Sequence, residues 1–334
     1  MTFKFAKKAI DMSRWPIAWP FVVHPQIENT KPETNSFFDP AQDAGLNLKV
    51  MSFNIRRGTA RDGRNHWKYR RNLVHEILNQ YSLDVLCLQE ALDFQISEIR
   101  DMLPGYENIG IGNLGNTKRL HNSIFYDDAR FALSEEGTFW LSDTPDIPRS
   151  KGWGNIMPRI CTWIRLIEKE SQKAFYVYNT HLDHLSQRSR KESVILLVKR
   201  IHERSFPDPF MLTGDFNARE RSTPVQYLKG KSPLIIKTKV AAINPVPLVD
   251  TFRVRYPKNR NTATFHGFRK HFFRFRFDYI FAPPSVRVLD AKIIQQRWEK
   301  CYPSDHFPLF IHIDLPVNLA PSDSHSFIEE AVNY

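Results

Sequence analysis

Apolar residues recur along the chain with two different periods. In LKVMSFN (48–54) and DVLCLQE (84–90) they form short, nearly continuous runs that end in polar residues, as in strands buried on both faces. Val74, Ile77, Leu78 and Tyr81 follow at i, i+3, i+4 and i+7, which predicts an amphipathic helix over 66–80. Val194, Leu197, Val198 and Ile201 predict another over 187–203. Further strands are predicted at 122–127, 131–141, 159–168, 173–181, 209–213, 276–282, 286–295 and 307–313. Many strands with few, separated helices argue an α+β domain with sheets stacked in the core and helices outside. No repeat of solenoid length is visible.

Residues 29–45 are rich in Asn, Thr, Pro, Asp and Gly and read as a loop. The chain therefore divides into an N-terminal extension (1–47), one domain (48–317) and a C-terminal tail (318–334). In the extension, Phe3, Ala6 and Ile10 share one face of a short predicted helix, with Lys4, Lys7 and Lys8 around it. Packing on the domain, or fraying, is favoured there over contact with a membrane surface. Pro16 and Pro20 break the early apolar stretch, and no small-residue cleavage pattern follows. No apolar run approaches the ~20 residues of a membrane span. The expectation is a cytoplasmic protein with no obligate protein partner.

Composition narrows the class. The 334 residues are 42% hydrophobic and 25% charged, which excludes a disordered chain, a coiled coil and a collagen-like repeat. Twenty-five Phe favour a β-rich core. Cys87, Cys161 and Cys301 are too few and too scattered for a disulfide framework or a zinc site. The net charge is +11. Residues 1–47 hold five bases and five acids, and 318–334 hold three acids and no Lys or Arg, so the middle carries +14 by difference. That excess points to a phosphorylated partner: nucleic acid, a nucleotide or an anionic headgroup.

Candidate chemistry gathers at strand ends. Asn54 closes LKVMSFN, Glu90 closes DVLCLQE, and His181 closes FYVYNTH. Asp215 and Asn217 close FMLTGDFN, Asp278 lies in RFDYIF, and Asp305 and His306 lead into HFPLFIHI. A single polar residue at a strand end usually marks only the edge of the core. Strands ending together at one rim would bring all of these into one site. Carboxylates with an Asn amide suit a hard cation such as Mg²⁺, which prefers oxygen ligands. Two histidines then remain for proton transfer or charge stabilisation.

The ordered set MSFNIR (51–56), LQE (88–90), NTHLDH (179–184), GDFNA (214–218), RFDYIF (276–281) and SDHFP (304–308) resembles the endonuclease/exonuclease/phosphatase superfamily, with its DNase I-like fold. FWLSDTPDIPRSKGW (139–153) and TFHGF (264–268) resemble a bacterial branch closer to nocturnin and the deadenylases than to DNase I. The resemblance covers about 48–315. It implies a four-layer αββα sandwich and cleavage of phosphate esters that depends on Mg²⁺ or Mn²⁺. It also implies roles, residue by residue. Asn54, Glu90 and Asp305 match the metal side, with Glu90 the principal ligand. Asp215 and Asn217 match residues that position water and phosphate. His306 matches the histidine that handles the proton or stabilises the phosphorus, with Asp278 orienting it. His181 matches a second histidine on the phosphate or leaving group. Arg159, at the start of its strand, matches an Arg facing the phosphate, and His266 falls in the substrate-binding set.

One departure stands out. Related sequences often carry, six residues before Tyr126, an acid that pairs with the equivalent of His181; here that position is Leu120. His181 is then oriented by another group, or the register slips toward His121 and Asn122. Nucleic acid or a nucleotide is the expected substrate, with a phosphoinositide or sphingolipid headgroup as the alternative. A non-catalytic binding module on the same fold is the least favoured reading. The basic–aromatic run FRKHFFRFRF (268–277) is a candidate phosphate-backbone surface, or else an alternating strand with a buried Phe face. Trp140 and Trp153 either shape a rim pocket or pack in the core.

Overall fold

The computed structural model describes residues 45–115, 119–235, 241–269, 275–298 and 301–316. The expected N-terminal extension up to residue 44, its short helix, the C-terminal tail and residues 270–274 lie outside the described residues. Strands β13 (Arg287–Ile293), β14 (Leu309–Leu315), β1 (Leu46–Asn54), β2 (Val85–Ala91), β4 (His121–Asp127) and β3 (Tyr106–Ile109) lie side by side in that order as one sheet. Strands β11 (Val249–Asp250), β12 (Asp278–Ala282), β8 (Phe210–Asp215), β7 (Ala174–His181), β6 (Ile160–Glu168) and β5 (Phe131–Trp140) form the other. A two-residue ladder joins β9 (Leu234–Ile235) to β10 (Ala241–Ala242).

Strand β1 explains why its sequence is apolar throughout. Leu48 and Val50 face inward and share a cluster with Phe175, Val177 and Met211 of the second sheet. Met51 and Phe53 face outward and pack with Val74, Ile77 and Leu78 of α1 (Trp67–Gln80) and with Ile96 and Ile99 of α2 (Asp93–Met102). On the other sheet, Tyr176, Tyr178 and Leu212 pack outward against Val194, Leu197, Val198 and Ile201 of α3 (Gln187–His202) and Val225 of α4 (Thr223–Leu228). Each fully buried Leu, Ile or Phe contributes about 1.5–3 kcal/mol. The layers thus run helix, sheet, sheet, helix, as the DNase I-like fold requires. A short α5 (Thr251–Arg255) completes the second sheet's edge. Among the described residues, no helix is long and apolar enough to cross a membrane.

Helices α1 and α3 match the expected spans closely, whereas α2 and the edge strand β3 were not expected. Strand β12 starts at Asp278 rather than 276, because the backbone N–H groups of Phe277 and Asp278 donate to Thr264 Oγ1 (3.0 and 3.1 Å) instead of joining the ladder. The sheet interface also contains a polar bridge. Gln89 Nε2 donates to Asn179 Oδ1 at 2.7 Å, and Asn179 Nδ2 donates to the carbonyls of Leu88 (2.9 Å) and Ser123 (3.0 Å). A buried network of this kind sets one sheet against the other in a single register.

The two rims of the sandwich differ. At one, the connections are short: 128–130, 169–173 and 283–286. At the other they are long: 110–120, 141–159 and 294–308. The site lies at the rim with the long connections.

Candidate active site

Pairing direction brings the strand-end residues together. Strands β1 and β2 run parallel, as do β7 and β8, so Asn54, Glu90, His181 and Asp215 emerge at one rim. The antiparallel partners contribute their beginnings: Asp278 sits opposite Asp215, and Asp305 and His306 just precede β14. A cavity of about 720 Å³ opens there. Its walls include Glu90, Arg159, His181, Asp215, Asn217, His266, Asp305 and His306. Asn54 and Asp278 stand one layer behind. Asn54 Nδ2 donates to Asp215 Oδ2 (3.1 Å) and Glu90 Oε1 (3.4 Å), and Asp278 Oδ2 bonds His306 Nδ1 (2.8 Å).

Backbone strain concentrates at this cavity. Of the seven non-glycine residues with positive φ among the described residues, Arg56, Glu90, Asn217 and Phe268 line it. Glu90 has φ +59° at a slip in the β2–β4 register between Leu88 and Ala91. A bulge of this kind re-aims a side chain, here from the sheet into the cleft. The left-handed backbone costs about 1–2 kcal/mol for a residue with a Cβ. Gly214, just before Asp215, has φ +139°, and a Cβ there would lie 1.9 Å from the Thr180 carbonyl oxygen. Arg70, buried in α1, donates to the carbonyls of Ile55 (2.5 Å), Arg56 (2.7 Å) and Pro303 (2.9 Å), tying the loop after Asn54 to the loop before Asp305.

Electrostatics divide the titratable groups. Burial opposes charge on His306, yet the Asp278 and Asp215 carboxylates outweigh it and push the imidazole up to about 10. Burial holds His181 well below its ordinary value, with Arg159 and His306 adding to the effect. Asp215 is pushed up to about 7, first by burial and further by Asp278, against the opposing pull of His306. Near neutral pH the cleft therefore presents a cationic His306 and a neutral His181. Asn217 Nδ2 lies 3.0 Å from His181 Nε2 and donates to the Leu182 carbonyl (3.0 Å), while Asp215 Oδ2 lies 3.4 Å from that ring nitrogen. Asn217 and Asp215 thus contact the ring where an acid at position 120 was expected; Leu120 itself lines the cavity.

Two groupings could hold a cation. Asp215, Asp278 and His306 bring ligand atoms within 4.8 Å of one another. In that trio Asp278 already engages Nδ1, and a protonated imidazole has no lone pair to give. Glu90 and Asp305 offer carboxylate oxygens, with Asn54 beside them donating Nδ2 to Glu90 and accepting the Arg56 N–H on Oδ1 at 3.0 Å. Burial raises Asp305, and the facing Glu90 carboxylate raises it further against the pull of His306. An acid whose charge a facing carboxylate disfavours fits a divalent cation beside it.

Arg159 is buried, with Nη2 3.0 Å from His184 Nδ1 and Nε 3.6 Å from Asp183 Oδ2. His266 is also buried, stacked on Phe307 (4.2 Å between centroids, 30°) and close to Tyr302 (4.4 Å). Trp140 and Trp153 do not line the cavity; their indole N–H groups donate to the Asn113 carbonyl (2.9 Å) and Asp143 Oδ1 (2.7 Å). Arg276 is no phosphate-backbone contact: it makes a buried pair with Asp250, at 2.7 and 2.6 Å. Sequence reasoning missed Arg56, Arg57, His184 and the aromatic wall of Phe265, Phe275 and Phe277. The Phe of 268–277 carried part of that signal, read either as a phosphate-backbone surface or as a buried strand face.

A model of the Endonuclease/Exonuclease/phosphatase family matches residues 51–306, the segment that holds all ten candidate site residues. The chain belongs to that family. This Endonuclease/Exonuclease/phosphatase protein is 30% identical over 185 residues to the uncharacterised protein L388 of Acanthamoeba polyphaga mimivirus, across 52% of this chain and 68% of the relative. It resembles the solved structure of an endonuclease/exonuclease/phosphatase from Bacteroides vulgatus with a TM-score of 0.72 and 28% identity, over 81% of this chain and 99% of that one. The mannosyl-6-phosphatase Bt3783 of Bacteroides thetaiotaomicron gives a TM-score of 0.69 and 31% identity, over 80% and 99%. Members of the family hydrolyse phosphoester bonds and generally depend on a divalent metal ion, and this chain is a hydrolase of that class.

Proposed function

We propose that this enzyme hydrolyses a phosphate ester of a small molecule at a site that takes Mg²⁺ or Mn²⁺ between Asn54, Glu90 and Asp305. The observation that carries the reading is the pairing of those oxygen donors with the Asp278–His306 dyad across one cavity. A bound cation offsets charge on the phosphate and leaving oxygens. His306, kept cationic by Asp278, stabilises charge on the pentavalent phosphorus. Asp215 accepts the proton of the attacking water, and the Asn217 amide holds that carboxylate's loop against His181. Arg159, braced by Asp183, engages the phosphate oxygens, and His266 shapes the wall behind them.

A small molecule is favoured over a nucleic-acid polymer because the basic run expected to track a backbone loses Arg276 to Asp250. The likeness to a mannosyl-6-phosphatase leans the same way. The test is turnover of p-nitrophenyl phosphate and bis-p-nitrophenyl phosphate by metal-loaded and EDTA-treated protein. Metal-restored hydrolysis of either ester is expected. Full activity after chelation would remove the metal reading. Rapid, strongly salt-dependent hydrolysis of single-stranded RNA or DNA with none of small esters would restore the polymer.

A further inference from the structure

Beside the catalytic cavity lies a second one of about 650 Å³, and Arg57, Leu120 and Met157 belong to the walls of both. The rest of its wall is mainly apolar, including Leu92, Phe94 and Ile156. Phe94 is 41% exposed and Ile156 is 64% exposed. None of the apolar wall residues belongs to the three core clusters, so core packing does not account for them. Large apolar side chains facing solvent around a concavity mark a place that an apolar group covers. Of the polar groups in the wall, Asp93 pairs with His121 at 2.8 Å and Asn113 donates to the Pro158 carbonyl at 2.9 Å, while Arg57, Thr59 and Arg119 also line it.

Continuity with the catalytic cavity decides what fills the groove. An ester whose phosphate sits beside Arg159 and His306 sends its alcohol portion either to bulk water or across Leu120 and Met157. We propose that the groove receives that alcohol portion and that it is an apolar alkyl or isoprenyl-type chain. The substrate is then an amphiphilic phosphate monoester, a statement that rests on the phosphoester-hydrolase reading above. In the reaction the P–O bond to the alcohol breaks, the oxygen of water bonds to phosphorus, and the alcohol departs with a proton from that water. A nucleobase fits less well, since its polar edges would be desolvated against Leu92, Phe94 and Ile156.

The test uses ligands that cannot be hydrolysed. The full chain with Mg²⁺ is titrated calorimetrically with methyl-, butyl-, hexyl- and octylphosphonate, each below its aggregation concentration. Kd is expected to fall about twofold to fourfold per added methylene until the groove is full. The double variant Phe94→Asn/Ile156→Asn changes exposed positions and leaves the core clusters intact. It should cut the octyl-to-methyl affinity ratio by about tenfold. A Kd independent of chain length overturns the proposal. So does adenosine 5′-phosphate binding tighter than hexylphosphonate and losing that advantage in the same variant, which would give the groove to a base. Turnover of the matching phosphate esters separates the two readings. Chain-length-dependent binding without hydrolysis of any ester keeps the groove and removes the enzyme assignment. Hydrolysis with flat binding does the reverse.

Discussion

The two sides of the catalytic cleft reach electrical balance by different means. On one side, Asp215 and Asp278 surround His306, and the 2.8 Å bond to Asp278 gives a carboxylate and an imidazolium each other's charge. On the other, Glu90 and Asp305 line the same cavity, and Arg56 lies 3.7 Å from Asp305. The first side is complete as folded. The second brings two carboxylates together, where the proposed cation would sit. The contrast separates fixed electrostatics, built into the fold, from electrostatics supplied by a cation. Four experiments test it.

The largest effect is expected at the open side. EDTA, or Glu90→Gln with metal present, should lower kcat/KM by about three orders of magnitude, the scale of several kcal/mol of lost charge stabilisation. Circular dichroism should show the fold unchanged. Retention of a tenth of the activity by Glu90→Gln would mean that the cation sits elsewhere.

Next comes the self-balanced side. Asp278→Asn should cost about a hundredfold and should also reshape the pH profile. His306 is needed as the imidazolium, and its value of about 10 places the wild-type alkaline limb there. Without the carboxylate, the group falls back toward the ordinary ~6.5, so the limb moves to lower pH. By the same sign, the stability this pair contributes is full below about pH 6.5 and is lost as pH rises through about 10. An alkaline limb in the same place for both proteins would break the assignment.

A smaller effect tests the strain at Glu90. In metal-free protein, Glu90→Gly removes both the left-handed strain and the repulsion with Asp305. We expect a gain of about 1 kcal/mol in stability together with loss of turnover. Urea denaturation with the metal removed is the measurement, and a destabilised variant would show that the bulge is unstrained. The smallest effect concerns Arg56, which stands in for the missing cation. Arg56→Gln should tighten metal binding about threefold, the worth of one partly exposed ion pair. Weaker metal binding by calorimetry would instead make Arg56 part of the cation's support.

Much of this cleft was legible before any coordinates. Asn54, Glu90, His181 and Asp215 reach the rim because they end parallel strands, and Asp278, Asp305 and His306 because they stand at the beginnings of the antiparallel partners. Helices α1 and α3 were legible because their apolar residues repeat over three turns. Helix α2 was not, since Ile96, Ile99 and Leu103 give only a sparse stripe and Leu92 is no conventional N-cap. Gln95 supplies the missing signal through tertiary contacts: its Oε1 accepts from Leu92 N–H (3.2 Å) and from Gly58 N–H (2.6 Å). The bulge at Glu90 had no local cue, because the slip is forced by pairing with β4. The fate of Arg276 was equally hidden, since its partner Asp250 lies 26 positions away.

The unequal rims carry a consequence for how such a molecule diversifies. Connections 110–120, 141–159 and 294–308 all rise beside the chemistry, while 128–130, 169–173 and 283–286 close the far rim. Apart from Arg159, Asp305 and His306, which they carry themselves, the long connections can accept insertions, deletions and new side chains without altering the strand pairing that places Asn54, Glu90 and Asp215. The short turns have no such latitude. Substrate range can therefore drift while reaction chemistry stays constant, as in a tool whose handle is cast and whose head is exchanged. Libraries aimed at new phosphate esters belong in those three long segments with Arg159, Asp305 and His306 kept, and labels or surface tethers belong on the far turns.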